Sequence, residues 1–261
     1  MDLGLDGKRA LVLGASRGLG AACAKALARE GATVIAAARS IEDTKTWIAA
    51  EQAPVAARLT AEKLDLSDRM SVGALADRLL QDAGVDILVN NSGGPPPGAA
   101  AEIGLDMWQQ QFAAMAGHVF HLTGRLLPAM LERGWGRIIT ITSSGIEQPI
   151  PNLALSNGLR MAVLGWSKTL AAEVAAKGVT VNLVLPGRIH TDRVDQLDGA
   201  AAAKQGMSRE EIAKASQAAI PAGRYGRPEE FADAVAFIAS TRASYITGIK
   251  LRVDGGMIRS V

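Results

Sequence analysis

The feature that most constrains this chain lies near its start. An apolar run ending at Leu13 passes directly into Gly14-Ala15-Ser16-Arg17-Gly18-Leu19-Gly20, and an alanine-rich segment of helical character follows. Glycines between a buried strand and a helix allow a tight turn and let the backbone approach a pyrophosphate. At the helix start, free amides and the helix dipole favour an anion. A glycine turn alone is also an ordinary structural connection, so the strand before it and the helix after it carry the reading.

The same alternation continues along the chain. The first helix is expected over Leu19–Glu30 and ends at Gly31, and Thr33–Ala38 makes the next strand. Ile87–Val89 and Arg137–Thr142 read as two further strands, separated by a long helical stretch around Trp108–Arg133. A helix over Asn157–Ala176 leads through Gly178 into a strand at Val179–Leu185, and the last strand, Ile249–Val253, closes with Asp254-Gly255-Gly256. Short apolar runs alternating with helices predict an α/β chain, a Rossmann-type doubly wound parallel sheet with helices on both faces. With no internal repeat and no linker in 261 residues, a single domain over 1–261 is expected. The stretch at about 188–219, alanine-rich at Ala200–Lys204, is expected to form a helical, mobile lid.

Lysine and arginine number 28 against 26 acidic residues, and a net charge of +2 gives no reason to expect a nucleic-acid partner. The single cysteine, Cys23, excludes an intrachain disulfide and suits a reducing compartment. Its place among helical alanines predicts a buried, inert thiol. Met1–Lys8 carries no apolar signal-like stretch, and no apolar run approaches the ~20 residues a bilayer requires, so a cytoplasmic protein without a membrane partner is expected. No metal site is expected.

The second strand ends Ala37-Ala38-Arg39-Ser40. An acidic residue there would bind the adenosine ribose hydroxyls and select NAD, but alanine and a cation occupy the position. Arg17 and Arg39 together would bracket a 2′-phosphate, which favours NADP(H) over NAD(H); either alone would read as a solvated surface arginine.

The glycine loop, Asp65, Asn90-Asn91-Ser92-Gly93, Pro186-Gly187 and Val253-Asp254-Gly255-Gly256 stand in an order that resembles the short-chain dehydrogenase/reductase family, especially its members similar to β-ketoacyl-carrier-protein reductases. The resemblance covers nearly the whole chain. It implies that Gly14, Ser16, Arg17, Gly18, Leu19 and Gly20 cradle the dinucleotide, and that Asp65 meets the adenine. It further implies that Asn91 and Gly93 back the cofactor while Pro186, Gly187 and Thr191 hold the nicotinamide. Leu13 and Ser92 replace the threonine and alanine usual in these motifs, changes that should leave binding intact. The resemblance also implies a homotetramer or homodimer assembled through the two long helices and the last strand.

The catalytic pattern departs from the family. Ser143, closing Gly136-Arg137-Ile138-Ile139-Thr140-Ile141-Thr142-Ser143, matches the serine that polarises the substrate carbonyl. Counting back from Gly165-Trp166-Ser167-Lys168, the family's tyrosine falls at Ser156, its lysine at Arg160 and its relay asparagine at Met115. Tyrosine is an effective acid because a cation draws its pKa down from about 10, whereas serine is far less acidic. Arginine stays cationic and stabilises an oxyanion without readily giving up a proton.

Among the histidines, His118 and His121 read as one helix face and His190 as a surface-loop residue near the nicotinamide end. Arg160, Arg188 and Arg193 either converge on a substrate anion or, for the last two, pair with Asp192 or Asp195. Pro95-Pro96-Pro97-Gly98 reads as a stiff pocket wall or a plain connector. The leading expectation is an NADP(H)-dependent oxidoreductase acting on a carbonyl or alcohol of a small molecule, with an anionic substrate as one form of it. The competing ones are a catalytically silent NADP(H)-binding sensor or structural subunit, and a non-redox lyase-type enzyme.

Overall fold

The computed structural model describes residues 1–82 and 84–260. Its elements run β1 (Arg9–Leu13), α1 (Gly18–Arg29), β2 (Thr33–Ala38), α2 (Ile41–Ala49), α3 (Ala53–Ala56), β3 (Leu59–Lys63), α4 (Arg69–Gln81) and β4 (Ile87–Asn90). The second half continues with α5 (Leu105–Phe112), α6 (His118–Arg133), β5 (Gly136–Ile141), α7 (Ala154–Val174), β6 (Val179–Pro186), α8 (Asp192–Gln205), α9 (Arg209–Ala218), α10 (Pro228–Ala239) and β7 (Lys250–Val253). The strands form one parallel sheet in the order β3-β2-β1-β4-β5-β6-β7. Because β1 lies beside β4, the order reverses there and opens a crevice at the carboxyl ends of these strands.

Helices pack on both faces, so the central strands are buried on both sides and mostly apolar. Every residue of β4 and β5 is buried. On one face the core joins Val12, Val34, Val89 and Ile139 to α1 and α10; on the other, Leu11, Leu88 and Ile138 meet α4, α6 and α7. Each such side chain contributes about 1.5–3 kcal/mol on leaving water.

The helix expected around Trp108–Arg133 is instead three pieces. α5 starts earlier, at Leu105, and a π-helical turn, Ala113–Gly117, separates it from α6. The run Ala113-Ala114-Met115-Ala116-Gly117 sets little side-chain bulk against the widened turn, and such turns recur at functional sites. α7 likewise begins at Ala154, ahead of the expected Asn157.

One cation is buried in the floor of the sheet. Arg137 is 2% exposed, and its guanidinium donates to the carbonyls of Gly136 (2.8 Å), Ser240 (3.2 Å) and Gly178 (3.4 Å). The Trp135 ring lies 4.4 Å from it, and burial lowers its pKa. Ser240 caps the carboxyl end of α10, where the helix dipole favours positive charge.

Candidate active site

At the β1–α1 turn the backbone is packed too closely for any side chain at Gly20, whose Cβ would stand 2.2 Å from the Gly14 carbonyl oxygen. Gly14 itself has a φ of 61°, in the left-handed region. The Asn91 amide donates to the Gly14 carbonyl at 3.3 Å, and the Trp47 indole donates to Ala15 O at 3.0 Å, so the loop is held from both sides. No side chain among the described residues caps the start of α1, and no acid lies in its first turn. Gly93 faces open space. An uncapped helix N-terminus behind a fixed glycine turn, with space before it, fits a dinucleotide pyrophosphate.

Arg17 and Arg39 each sit by a different carboxylate. Arg17 is drawn across the crevice to Asp192 in the first turn of α8, at 3.0 Å, because Thr191 and Gly18 bring those two segments close. Arg39 is exposed at the end of β2, near enough to Asp65 for its charge to be felt. The Asp65 carboxyl is held below the usual carboxylate range, first by hydrogen bonds from the Ser67 hydroxyl (2.7 Å) and amide (2.9 Å), then by Arg39 and Lys63.

On the other side of the crevice, Ser143 follows β5, and Ser156 and Arg160 lie one turn apart on α7. Arg160 Nε donates to Ser156 Oγ at 3.3 Å, and its Nη1 donates to Ile141 O, at the end of β5, at 3.1 Å. Burial, then the like charge of Arg193, draws the Arg160 pKa down to about 10, so it remains cationic at neutral pH. The Gly145 amide donates to Ser143 Oγ at 3.0 Å. Each serine oxygen thus accepts from the protein and keeps its own proton to give. Met115 is buried in the π-helical turn beside α7, packed with Leu155 and Leu159. Pro186 and Gly187 end β6, and the Gly187 amide donates to Val253 O at 3.0 Å, which ties this turn to the closing glycine motif.

Residues 14–258 match the family model described as enoyl-(acyl carrier protein) reductase. The chain is 37% identical over 258 residues to the 3-oxoacyl-(acyl-carrier-protein) reductase of Salmonella typhimurium, covering 98% of this chain and 99% of that protein. It belongs to the short-chain dehydrogenase/reductase family. Nodulation protein G of Azospirillum brasilense is 37% identical over 253 residues, 96% of this chain and 98% of that one. Among solved structures, L-sorbose reductase from Gluconobacter frateurii, complexed with NADPH and L-sorbose, superposes with a TM-score of 0.93 at 30% identity over 100% of both chains.

Within this short-chain dehydrogenase/reductase, residues 188–219 are largely the helices α8 and α9, and α8 is tied down by a network around Asp198 that no local sequence pattern signals. Arg188 pairs not with Asp192 or Asp195 but with Asp198, at 2.7 Å, and the Tyr225 hydroxyl donates to the same carboxylate at 2.7 Å. Asp198 is buried, one helical turn beyond Asp195, where the chain after β6 and the segment before α10 both reach it. Burial, then the Asp198 carboxylate, pushes the Tyr225 phenol up. Arg193 pairs with neither expected aspartate and donates to Pro95 O at 3.3 Å. His190 is exposed, 3.5 Å from Asp195, and His118 Nδ1 lies 2.7 Å from Leu66 O. Cys23 is buried, and burial pushes its thiol up. No helix among the described residues is long and apolar enough to cross a membrane.

Proposed function

We propose that this short-chain dehydrogenase/reductase is an NADP(H)-dependent oxidoreductase that interconverts a carbonyl and an alcohol at an atypical site. In it, Ser156 and Arg160 stand where the family has tyrosine and lysine. The observation that carries the reading is the Ser156–Arg160 pair, bonded to the end of β5 just before Ser143. Names of relatives support the reaction class, and structures that hold NADPH or NADP support the cofactor.

The bound nicotinamide supplies or accepts the hydride. The pyrophosphate falls to Gly14, Ser16, Gly18, Leu19 and Gly20; the adenosine half to Arg17, Arg39 and Asp65; and the nicotinamide half to Asn91, Gly93, Pro186, Gly187 and Thr191. Arg17 leaves Asp192 to reach the phosphate. The Ser143 and Ser156 hydroxyls donate to the reacting oxygen, while Arg160 stabilises the negative charge that develops there. On this reading the alkoxide takes its proton from water through the Ser156 hydroxyl. α8 and α9 form the lid, shielding the site from bulk water. Exposed Leu105, Met107, Phe112 and Met161 on α5 and α7 support assembly as a homodimer or homotetramer.

Calorimetric titration with NADPH and NADH, followed by an absorbance screen against ketones and oxo acids, tests the reading. Tight, NADPH-selective binding with turnover is expected. Binding without turnover on any carbonyl or alcohol would favour a silent binder, and no binding to either nucleotide would overturn the reading.

A further inference from the structure

Three aspartates on the first turns of α8 are already engaged: Asp192 with Arg17, Asp195 near His190 and Asp198 with Arg188. Two guanidinium groups at the same end of the crevice are treated differently. Among the described residues neither Arg160 nor Arg193 has a carboxylate within salt-bridge distance, and each hydrogen bond shown for them goes to a neutral oxygen: Ile141 O and Ser156 Oγ for Arg160, Pro95 O for Arg193.

The sheet brings these two cations to neighbouring strand ends. β4 pairs with β5 with Asn90 opposite Thr140, so the loop leaving β4 runs beside Ile141 at the ~4.8 Å spacing of adjacent strands. Arg193 lies along that loop, 3.3 Å from where a Gly94 side chain would begin, while Arg160 is bonded to Ile141 itself. The charge of Arg193 bears on Arg160. Of the five N–H donors on each group, most are uncommitted. Two like charges held together without a counter-ion destabilise one another until an anion enters.

We propose that Arg160 and Arg193 form a receptor for an oxyanion on the substrate, so that the preferred substrate is a carbonyl compound with a carboxylate or phosphate close to the reacting carbon. Arg188 has no part in it, since Asp198 neutralises it. The proposal rests on the oxidoreductase reading, and its test separates the two. With NADPH-loaded protein, kcat/KM is measured for short-chain oxo acids, for phosphorylated ketones and for the neutral methyl esters or dephosphorylated forms of each. Anionic forms should be preferred, and the better arm names the group.

In Arg193→Gln the preference should fall about 10–100-fold, mainly through KM, and Arg193→Lys should recover part of it. Turnover of neutral ketones with no anionic preference, or a preference that Arg193→Gln leaves intact, overturns the proposal while sparing the reaction class. If no ketone is turned over, binding still decides. Oxamate and inorganic phosphate are titrated calorimetrically into NADP⁺-loaded protein, and at least one should bind about tenfold more weakly to Arg193→Gln. Equal affinity for both probes, or binding of neither, overturns the proposal.

Discussion

On the proposed reading, replacing Ser156 by tyrosine and Arg160 by lysine together installs, at two positions one helical turn apart, a phenol and an ammonium at the reacting oxygen. In the present site the serine oxygen is 3.3 Å from Arg160 Nε, so the group at 156 and the cation at 160 are already neighbours. In the proposed reading serine is far too weak an acid, and Arg160, drawn down to about 10 first by burial, stays cationic and acts as a charge. A phenol with an intrinsic pKa near 10, lowered by an adjacent ammonium, would supply an acid. General acid catalysis contributes about 10²–10⁴ in rate, equivalent to about 3–5 kcal/mol of barrier. Ketone reduction by the double variant should therefore rise by at least about 10². Ser156→Tyr alone should gain less, because Arg160 is engaged with Ile141 O and its planar head does not replace an ammonium point charge. The assay is NADPH consumption against a panel of simple ketones, with thermal unfolding and NADPH titration as controls. A double variant that folds, binds NADPH as the parent does and reduces no ketone faster would refute the placement of residues 156 and 160 at the reacting oxygen.

Gly20→Ala should abolish NADPH binding, because its methyl group meets the Gly14 carbonyl at 2.2 Å and must displace the loop; calorimetry reads the loss, with thermal unfolding reporting the accompanying destabilisation. Asp198→Ala leaves Arg188 and the Tyr225 hydroxyl without their carboxylate and should loosen α8 by about 1–3 kcal/mol, seen as faster amide exchange there than in β5. Glu51 is held below the ordinary carboxylate range, first by the Lys25 hydrogen bond, with further help from Lys25 and Arg29 as charges and opposed by burial. Its folded pKa is depressed, so its contribution is present above the unfolded value of about 4.3 and lost as pH falls through the folded one. Glu51→Gln should flatten that part of the acid limb in unfolding titrations.

The sheet was legible because its central strands are buried on both faces and therefore stand out as short, mostly apolar runs, as Ile87–Val89 and Val179–Leu185 do. The β1–α1 turn was legible for a related reason, since close backbone packing admits only glycine at Gly20. What escaped the sequence depends on distance. The partner of Arg17 lies 175 residues away, and no local pattern distinguishes Asp192 from Asp195 or Asp198 as the carboxylate Arg188 will find. The π-helical turn escaped because Ala113–Gly117 satisfies the composition of an ordinary helix, and only the packing of Met115 against α7 reveals the wider turn. At Ser156 and Arg160 residue identity was plain, but the direction of the Arg160 head, toward Ile141 O, was not.

The buried cation of β5 lies at the opposite end of the strands from the crevice. Arg137 is held by carbonyl oxygens and an indole face, where the start of β5, the turn before β6 and the end of α10 meet, whereas α8 is tied to the rim by ion pairs of its own carboxylates. A protein of this design carries its replaceable parts and its keel at opposite ends of the same strands, so the chemistry above can be rewritten without disturbing what holds the strands together below.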